Sequence, residues 1–283
     1  LVQLPEGIKQ NAAEIAEVIE SLGIEVIFSG ETCWGGCSVG VLEAKEIGAD
    51  LIIHFGHAEF IKTNFPTIYI EVKDILDIKP LLIKSLKYIK KFKKIGFAYS
   101  IQHKHEVKKI IEFYKKNKKT VTLSKKTGHS AYTGHIIGCE YSGLKAIQKN
   151  IDCFIILGNK FHGIGGALAV NKPVFLLDVY NNEISEISLI KEKIIRQRFA
   201  SIEKFKQTKN IGVISEIKPG QRFGVQNGLV EDLTLSSLSE TLFAPGASHK
   251  LFVSFLFQVT LDSCQFFNNF LIVILTLFLL ELS

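Results

Sequence analysis

A chain of 283 residues with 47% hydrophobic and 22% charged content has a globular composition and is long enough for two or three domains with a large core. Its net charge of +6 comes from lysines spread over helix faces, as in Lys87 to Lys94 and Lys115 to Lys119, without the arginine–aromatic interleaving of RNA binders, so no nucleic-acid partner is expected. Five cysteines, an odd number, with no recognisable signal peptide argue against a disulfide framework and for reduced thiols or metal ligands in a cytoplasmic protein.

Leu1 to Leu4 reads as a short strand ending in Pro5-Glu6-Gly7. A helix is predicted from about Ile8 to Leu22, with Ile8, Ala12, Ile15, Val18, Ile19 and Leu22 on one face and Gly23 at the C-cap. Glu25 to Ser29 reads as a second strand. Next comes a glycine-rich loop, Gly30-Glu31-Thr32-Cys33-Trp34-Gly35-Gly36-Cys37, followed by a helix from Val39 to Ile47. Asp50 to Phe55 is almost continuously apolar, as a parallel strand buried on both faces should be, and it ends in Gly56-His57. Thr67 to Val72 is a further strand.

The order then begins again, with a strand at Lys94 to Tyr99, a helix at His105 to Lys116 and a strand at Thr120 to Leu123. A loop leads to His135-Ile136-Ile137-Gly138-Cys139. A helix from Ser142 to Lys149, a strand from Asp152 to Leu157 and a strand from Pro173 to Leu177 follow. A long helix from about Ile187 to Phe205 leads to a third start at Ile211 to Ile217, then Lys218-Pro219-Gly220-Gln221. Strands alternating with helices define an α/β fold with parallel sheets.

An internal repeat is visible. Cys37 lies thirteen residues before Asp50 and nineteen before Gly56; Cys139 lies thirteen before Asp152 and nineteen before Gly158. We therefore expect repeated Rossmann-like domains, residues 1–90 carrying Cys37 and 91–206 carrying Cys139, with an incomplete third repeat at 207–233. Packing around a pseudo-threefold axis would let the cysteine loops converge. Residues 234–283 differ in kind, holding one lysine, no arginine and three acids amid Phe, Leu and Ser. The tail reads as a translation out of frame, a membrane anchor or a divergent third domain. The change in composition favours the first, and the apolar run Phe270 to Leu280 falls short of the ~20 residues that span a bilayer. No methionine and a start in mid-strand lead us to expect a fragment.

Cys37 and Cys139 each follow a glycine at a loop-to-helix start, where backbone N–H groups favour a thiolate. Cys153, inside an apolar strand, reads as a small core residue. For Cys33 two readings stand, a ligand alternate to Cys37 or a local neighbour; the repeat, which gives it no counterpart, favours the second. Ligands a domain apart do not make a zinc finger but suit an iron–sulfur cluster with an open iron. His54, His57, His135 and His162 fall at strand ends or loops on one presumed side of the sheets. Phe161-His162-Gly163-Ile164-Gly165-Gly166-Ala167 reads as a glycine-rich turn able to approach a ligand or anion, without a Walker lysine or a dinucleotide fingerprint.

Taken together, Gln3-Leu4-Pro5-Glu6-Gly7, Thr32 to Cys37, Gly48-Ala49-Asp50, His54-Phe55-Gly56-His57, Gly138-Cys139-Glu140-Tyr141-Ser142, Phe161-His162 and Lys218 to Gln221 resemble the archaeal-type diphthamide synthase subunit family, the 2-(3-amino-3-carboxypropyl)histidine synthases. The resemblance ends near Leu233. It implies three α/β domains, each giving one cysteine to a [4Fe-4S] cluster, with Cys37 and Cys139 as the first two ligands. It implies one-electron cleavage of the Cγ–S bond of S-adenosylmethionine and addition of the 3-amino-3-carboxypropyl radical to C2 of a histidine in translation elongation factor 2. A homodimer and an electron donor are implied too, and no membrane partner. Glu6, His57, His162 and Gln221 are candidates for holding the cofactor or substrate. The family's third cysteine lies in an Asn-Thr-Ala-Cys-Pro-type sequence that this chain lacks, and the flanks of Cys264 do not match it. A non-catalytic subunit or remnant of the family, and a quinolinate-synthase-like cluster enzyme, are the alternatives.

Overall fold

The computed structural model describes residues 1–205, 218, 220, 253–255 and 275–277. The chain divides into two compact units, Leu1–Gln197 and Arg198–Ser283. In the second, the described strands β9 (Val253–Phe255) and β10 (Leu275–Leu277) pair antiparallel, Leu275 opposite Phe255. The rest of the third repeat and tail, with Gln221 and Cys264, lies outside the described residues, as does any pseudo-threefold arrangement. Among the described residues no helix is long and apolar enough to cross a membrane.

The first unit contains two sheets. In the first, β1 (Val2–Gln3), β2 (Ile52–Phe55) and β3 (Thr67–Ile70) run parallel in that order, with Gln3 opposite His54 and His54 opposite Tyr69. The expected strand at Glu25 to Ser29 survives only as a parallel bridge between Phe28 and Val2, with Val2 N donating to Ile27 O and Ser29 N to Val2 O. Two hydrogen bonds hold it beside β1, too few to build a regular strand.

Helices cover both faces of this sheet. The predicted helix at Ile8 to Leu22 divides into a 3₁₀ segment, Glu6–Asn11, and α1 (Ala12–Glu20). Ile8, Ala12, Ile15 and Ile19 pack on Val2, Leu4, Ile53 and Phe55, but Val18 and Leu22 face solvent, outside the apolar stripe assigned to them. The helix expected at Val39 to Ile47 is shorter, α2 (Val41–Glu46), and buries Val41 and Ala44 against Leu1 and Ile52 on the opposite face. Strand residues alternate between faces, so His54 shares the α2 side with Ile52.

The second sheet has the order β5 (Thr120–Leu123), β4 (Lys94–Tyr99), β6 (Cys153–Leu157), β7 (Val174–Asp178), β8 (Glu183–Glu186), parallel except for the last pair. Cys153, Ile155 and Leu157 pack to one side with Ile110 and Tyr114 of α4 (Val107–Lys116) and with Leu81 of α3 (Lys79–Tyr88). Phe154 and Ile156 pack to the other side with Leu144 and Ala167. Burial on both faces explains the unbroken apolar run, and Cys153 is a core residue as read. The helix expected over Ser142 to Lys149 divides into α5 (Ser142–Lys145) and a 3₁₀ turn at Gln148–Asn150. Lys160–Ala169 forms α6 and Ser188–Phe205 forms α7.

Both sheets share one plan. The second strand of each repeat lies on one side of the first and the third strand on the other, which opens a crevice at the carboxyl ends where the order reverses. In each repeat the cysteine-bearing loop leaves the segment beside the first strand.

Candidate metal and cofactor site

The first crevice is organised by a buried glutamine. Gln3 Nε2 donates to Ser38 O at 3.1 Å, while Gln3 Oε1 accepts from Gly40 N at 3.0 Å and lies 3.2 Å from His54 Nδ1. One side chain at the end of β1 therefore ties the cysteine loop to β2. The loop also packs closely at Gly36, where a Cβ would lie 2.5 Å from Ala58 O. Gly56 has φ +85°, and a Cβ there would meet Pro5 Cγ at 2.5 Å, so the turn into His57 requires glycine twice over.

Around this scaffold three ligand atoms meet. Cys33 Sγ is 3.6 Å from His54 Nε2 and 4.0 Å from His57 Nδ1, and the two ring nitrogens are 3.0 Å apart. Cys33 and His54 are buried and His57 is half-buried. Burial lowers the pKa of His54 to about 3, aided by His57, and that of His57 to about 4, aided by His135; a bond to the Phe55 backbone opposes the latter. Both rings are neutral near pH 7, the state in which imidazole coordinates metals.

Cys37 is half-buried and Cys139 exposed. Protein packed about Cys139 desolvates its thiolate and pushes the pKa up to about 12, and the charges of Cys37 and Glu140 push the same way. The helix start expected directly after Cys139 lies further on: α5 begins three residues beyond it. The thiols fit a cationic metal centre, which offsets the mutual repulsion of two thiolates.

The remaining predicted residues have mixed outcomes. Glu6 is exposed beside the cysteine loop; its ion pair with Lys9 (2.6 Å) holds its carboxyl below the usual range, with a smaller contribution from Thr32. His162 sits in the first turn of α6, its N–H donating to Asn159 Oδ1 at 3.3 Å and its Nδ1 2.8 Å from the same oxygen. His135, buried and bridged to Tyr99, contributes to depressing both His57 and His162. The glycines of Phe161 to Ala167 lie within a helix and accommodate packing. Gly163 and Gly166 face Leu176 and Ile156, and Gly165 takes the Tyr141 ring. They do not form a turn that approaches an anion.

The local sequence assigns Gln3 no role and favours a merely local one for Cys33. The signal for Gln3 was a lone amide in the apolar strand Leu1 to Leu4.

The fold and site define a class, duplicated parallel α/β repeats that bring cysteine and histidine donors to the carboxyl ends of their sheets. Residues 4–233 match the family described as putative diphthamide synthesis protein. The chain is 34% identical over 223 residues to 2-(3-amino-3-carboxypropyl)histidine synthase of Pyrococcus horikoshii, covering 78% of this chain and 64% of the relative. It is 26% identical over 238 residues to the protein of the same name from Methanocaldococcus jannaschii, covering 78% and 63%. The crystal structure of Dph2 from Pyrococcus horikoshii with a 4Fe-4S cluster superposes with a TM-score of 0.71 at 32% identity, covering 77% of this chain and 64% of that one. A second crystal structure of that Dph2 gives a TM-score of 0.73 at 31% identity, covering 85% and 68%. The chain belongs to the diphthamide synthesis family. It spans less than two thirds of the length of these two synthases.

Proposed function

We propose that this chain takes part in the first step of diphthamide synthesis, transfer of the 3-amino-3-carboxypropyl group of S-adenosylmethionine to C2 of a histidine in translation elongation factor 2. What supports this reading in the chain itself is that Cys37 and Cys139 occupy equivalent loops of two repeats, each following the segment beside its repeat's first strand. Family membership and a 32% identical relative crystallised with a 4Fe-4S cluster support it.

In this reading Cys37 and Cys139 hold two corners of a [4Fe-4S] cluster. When bound, the cluster supplies the electron that splits the Cγ–S bond of S-adenosylmethionine. Glu6 and His57, beside the cysteine loop, and His162, in the first turn of α6, orient the substrate. Gly36 seats the loop on the Ala58 backbone and so fixes where the Cys37 sulfur is offered. The protein acts as a homodimer in the cytoplasm and draws its electron from a separate donor.

The test is anaerobic incubation of the iron- and sulfide-reconstituted chain with S-adenosylmethionine, dithionite and elongation factor 2. We expect methylthioadenosine and a 3-amino-3-carboxypropyl adduct on one histidine by mass spectrometry. Elongation factor 2 left unmodified, while the Pyrococcus relative modifies it in the same assay, would refute a catalytic role. Binding of elongation factor 2 without turnover would favour the non-catalytic reading, to which the unmatched flanks of Cys264 already point.

A further inference from the structure

We propose that Cys33, His54 and His57 form a binding site for one zinc-class divalent cation, separate from the Cys37/Cys139 sulfur pair. The cluster reading leaves over Cys33 and His54; His57, named above for orienting substrate, is here assigned to the ion instead.

The first argument is geometric. With Zn–S near ~2.3 Å and Zn–N near ~2.05 Å, tetrahedral angles place a sulfur and a nitrogen ligand about 3.6 Å apart and two nitrogens about 3.3 Å apart. The sulfur–nitrogen separations here are 3.6 and 4.0 Å, and the nitrogen–nitrogen separation is 3.0 Å. Shifts of a few tenths of an ångström would admit the ion.

The second argument is orientation. Gly40 N–H donates to Gln3 Oε1, which fixes that atom as the acceptor oxygen, and His54 Nδ1 must then donate to it. The His54 Nε2 lone pair is thereby aimed at Cys33 and His57. A carboxamide fixing the far nitrogen of a ligating histidine is the outer-shell support that metal sites use. The same glutamine holds the backbone at Ser38 and Gly40, so the cysteine loop and His54 are registered by one residue.

Chemistry sets the class of ion. One thiolate and two imidazoles suit zinc, cobalt(II) or copper(I), whereas magnesium and calcium call for oxygen. Three protein ligands leave a fourth position for water or an exogenous donor. Half-buried His57 supplies the side from which the ion enters. Once bound, the ion would fasten the loop at Cys33 to the end of β2, four residues before Cys37. Binding releases the thiol proton to solvent, and the proton between the two rings moves to His57 Nε2 as that ring changes tautomer.

The experiment is a cobalt(II) titration of the reduced, chelator-stripped protein under anaerobic conditions. It uses a Cys37→Ser/Cys139→Ser/Cys264→Ser background, which leaves Cys33 and the core residue Cys153 as its cysteines. We expect one equivalent to bind, with the visible bands of tetrahedral cobalt and a sulfur-to-cobalt charge-transfer band, and zinc to displace it. Adding Cys33→Ser should abolish the charge-transfer band, and His57→Ala should abolish tight binding. Gln3→Leu should weaken affinity ~10–100-fold. No stoichiometric cobalt, or an unchanged spectrum in His57→Ala, would overturn the proposal. His57 is half-buried, so its variant decides the matter even if Cys33→Ser does not fold.

Discussion

Gln3 and His54 sit opposite each other on β1 and β2, with Gln3 Oε1 3.2 Å from His54 Nδ1. Three buried groups outside the glutamine depend on its amide: His54 Nδ1–H, Gly40 N–H and Ser38 C=O. His54 Nδ1–H and Gly40 N–H lose the acceptor that the glutamine supplies in Gln3→Leu. At 1–3 kcal/mol for each unsatisfied buried group, partly relieved by relaxation, the variant should lose about 3 kcal/mol in urea unfolding. Alkylation of Cys33, which is 4% exposed, should accelerate as its loop loosens.

Gly36 offers a second handle on the same loop. A Cβ there meets Ala58 O, a backbone atom that cannot swing aside, whereas Gly30 in the same loop has nothing within 4 Å. Gly36→Ala should cost about 1–3 kcal/mol in chemical denaturation, and Gly30→Ala should lie within about 0.5 kcal/mol of the parent.

Acid should act through His135. Burial lowers its pKa from 6.5 to about 4, with Glu71 opposing and Lys104 assisting. The unfolded chain therefore takes up the proton first as the pH falls. The stability from a neutral His135 is complete above pH 6.5 and is lost as the pH drops through about 4. The slope in that window is up to about 1.4 kcal/mol per pH unit for this one residue. Unfolding free energies measured between pH 7 and 4 should fall less steeply in His135→Gln.

In the second repeat's core, Ser85 Oγ donates to Leu82 O and so accepts from the Tyr114 hydroxyl, 2.8 Å away. Tyr114→Phe removes one buried bond but leaves Ser85 its backbone acceptor. A loss of about 1 kcal/mol in thermal or chemical unfolding is expected, without a change in fold.

Much of the fold was legible because parallel strands buried on both faces are apolar without interruption. Asp50–Phe55 and Asp152–Leu157 announced themselves in this way, and their matched spacing from Cys37 and Cys139 exposed the repeat. Asp152 shows why an acid opens the second of them: its Oδ2 accepts from Lys93 N and Lys94 N at 2.8 Å, joining β6 to the start of β4. In the segment 73–93 only a helix face at Lys87 to Lys94 is read, whereas α3 (Lys79–Tyr88) begins earlier, with Pro80 in its first turn and a stripe at Leu81, Leu82 and Ser85 that needs the sheet to be recognised. The short β8 was missed because Glu183–Glu186 is half polar and pairs only as an antiparallel edge. At the site, the histidines at strand ends could be read from local sequence. The Cys33–His54–His57 cluster could not, because 21 residues and a sheet crossing separate Cys33 from His54, and only tertiary folding brings them together.

The central claim is that Cys37 and Cys139 share one iron–sulfur cluster. Iron quantification and visible absorption after anaerobic reconstitution test it most directly, in the parent chain, Cys37→Ala, Cys139→Ala and the core control Cys153→Ala. Iron–sulfur absorption in the parent and the control, lost in each of the other two variants with circular dichroism unchanged, is the predicted result. Full iron content in Cys37→Ala or Cys139→Ala would contradict it.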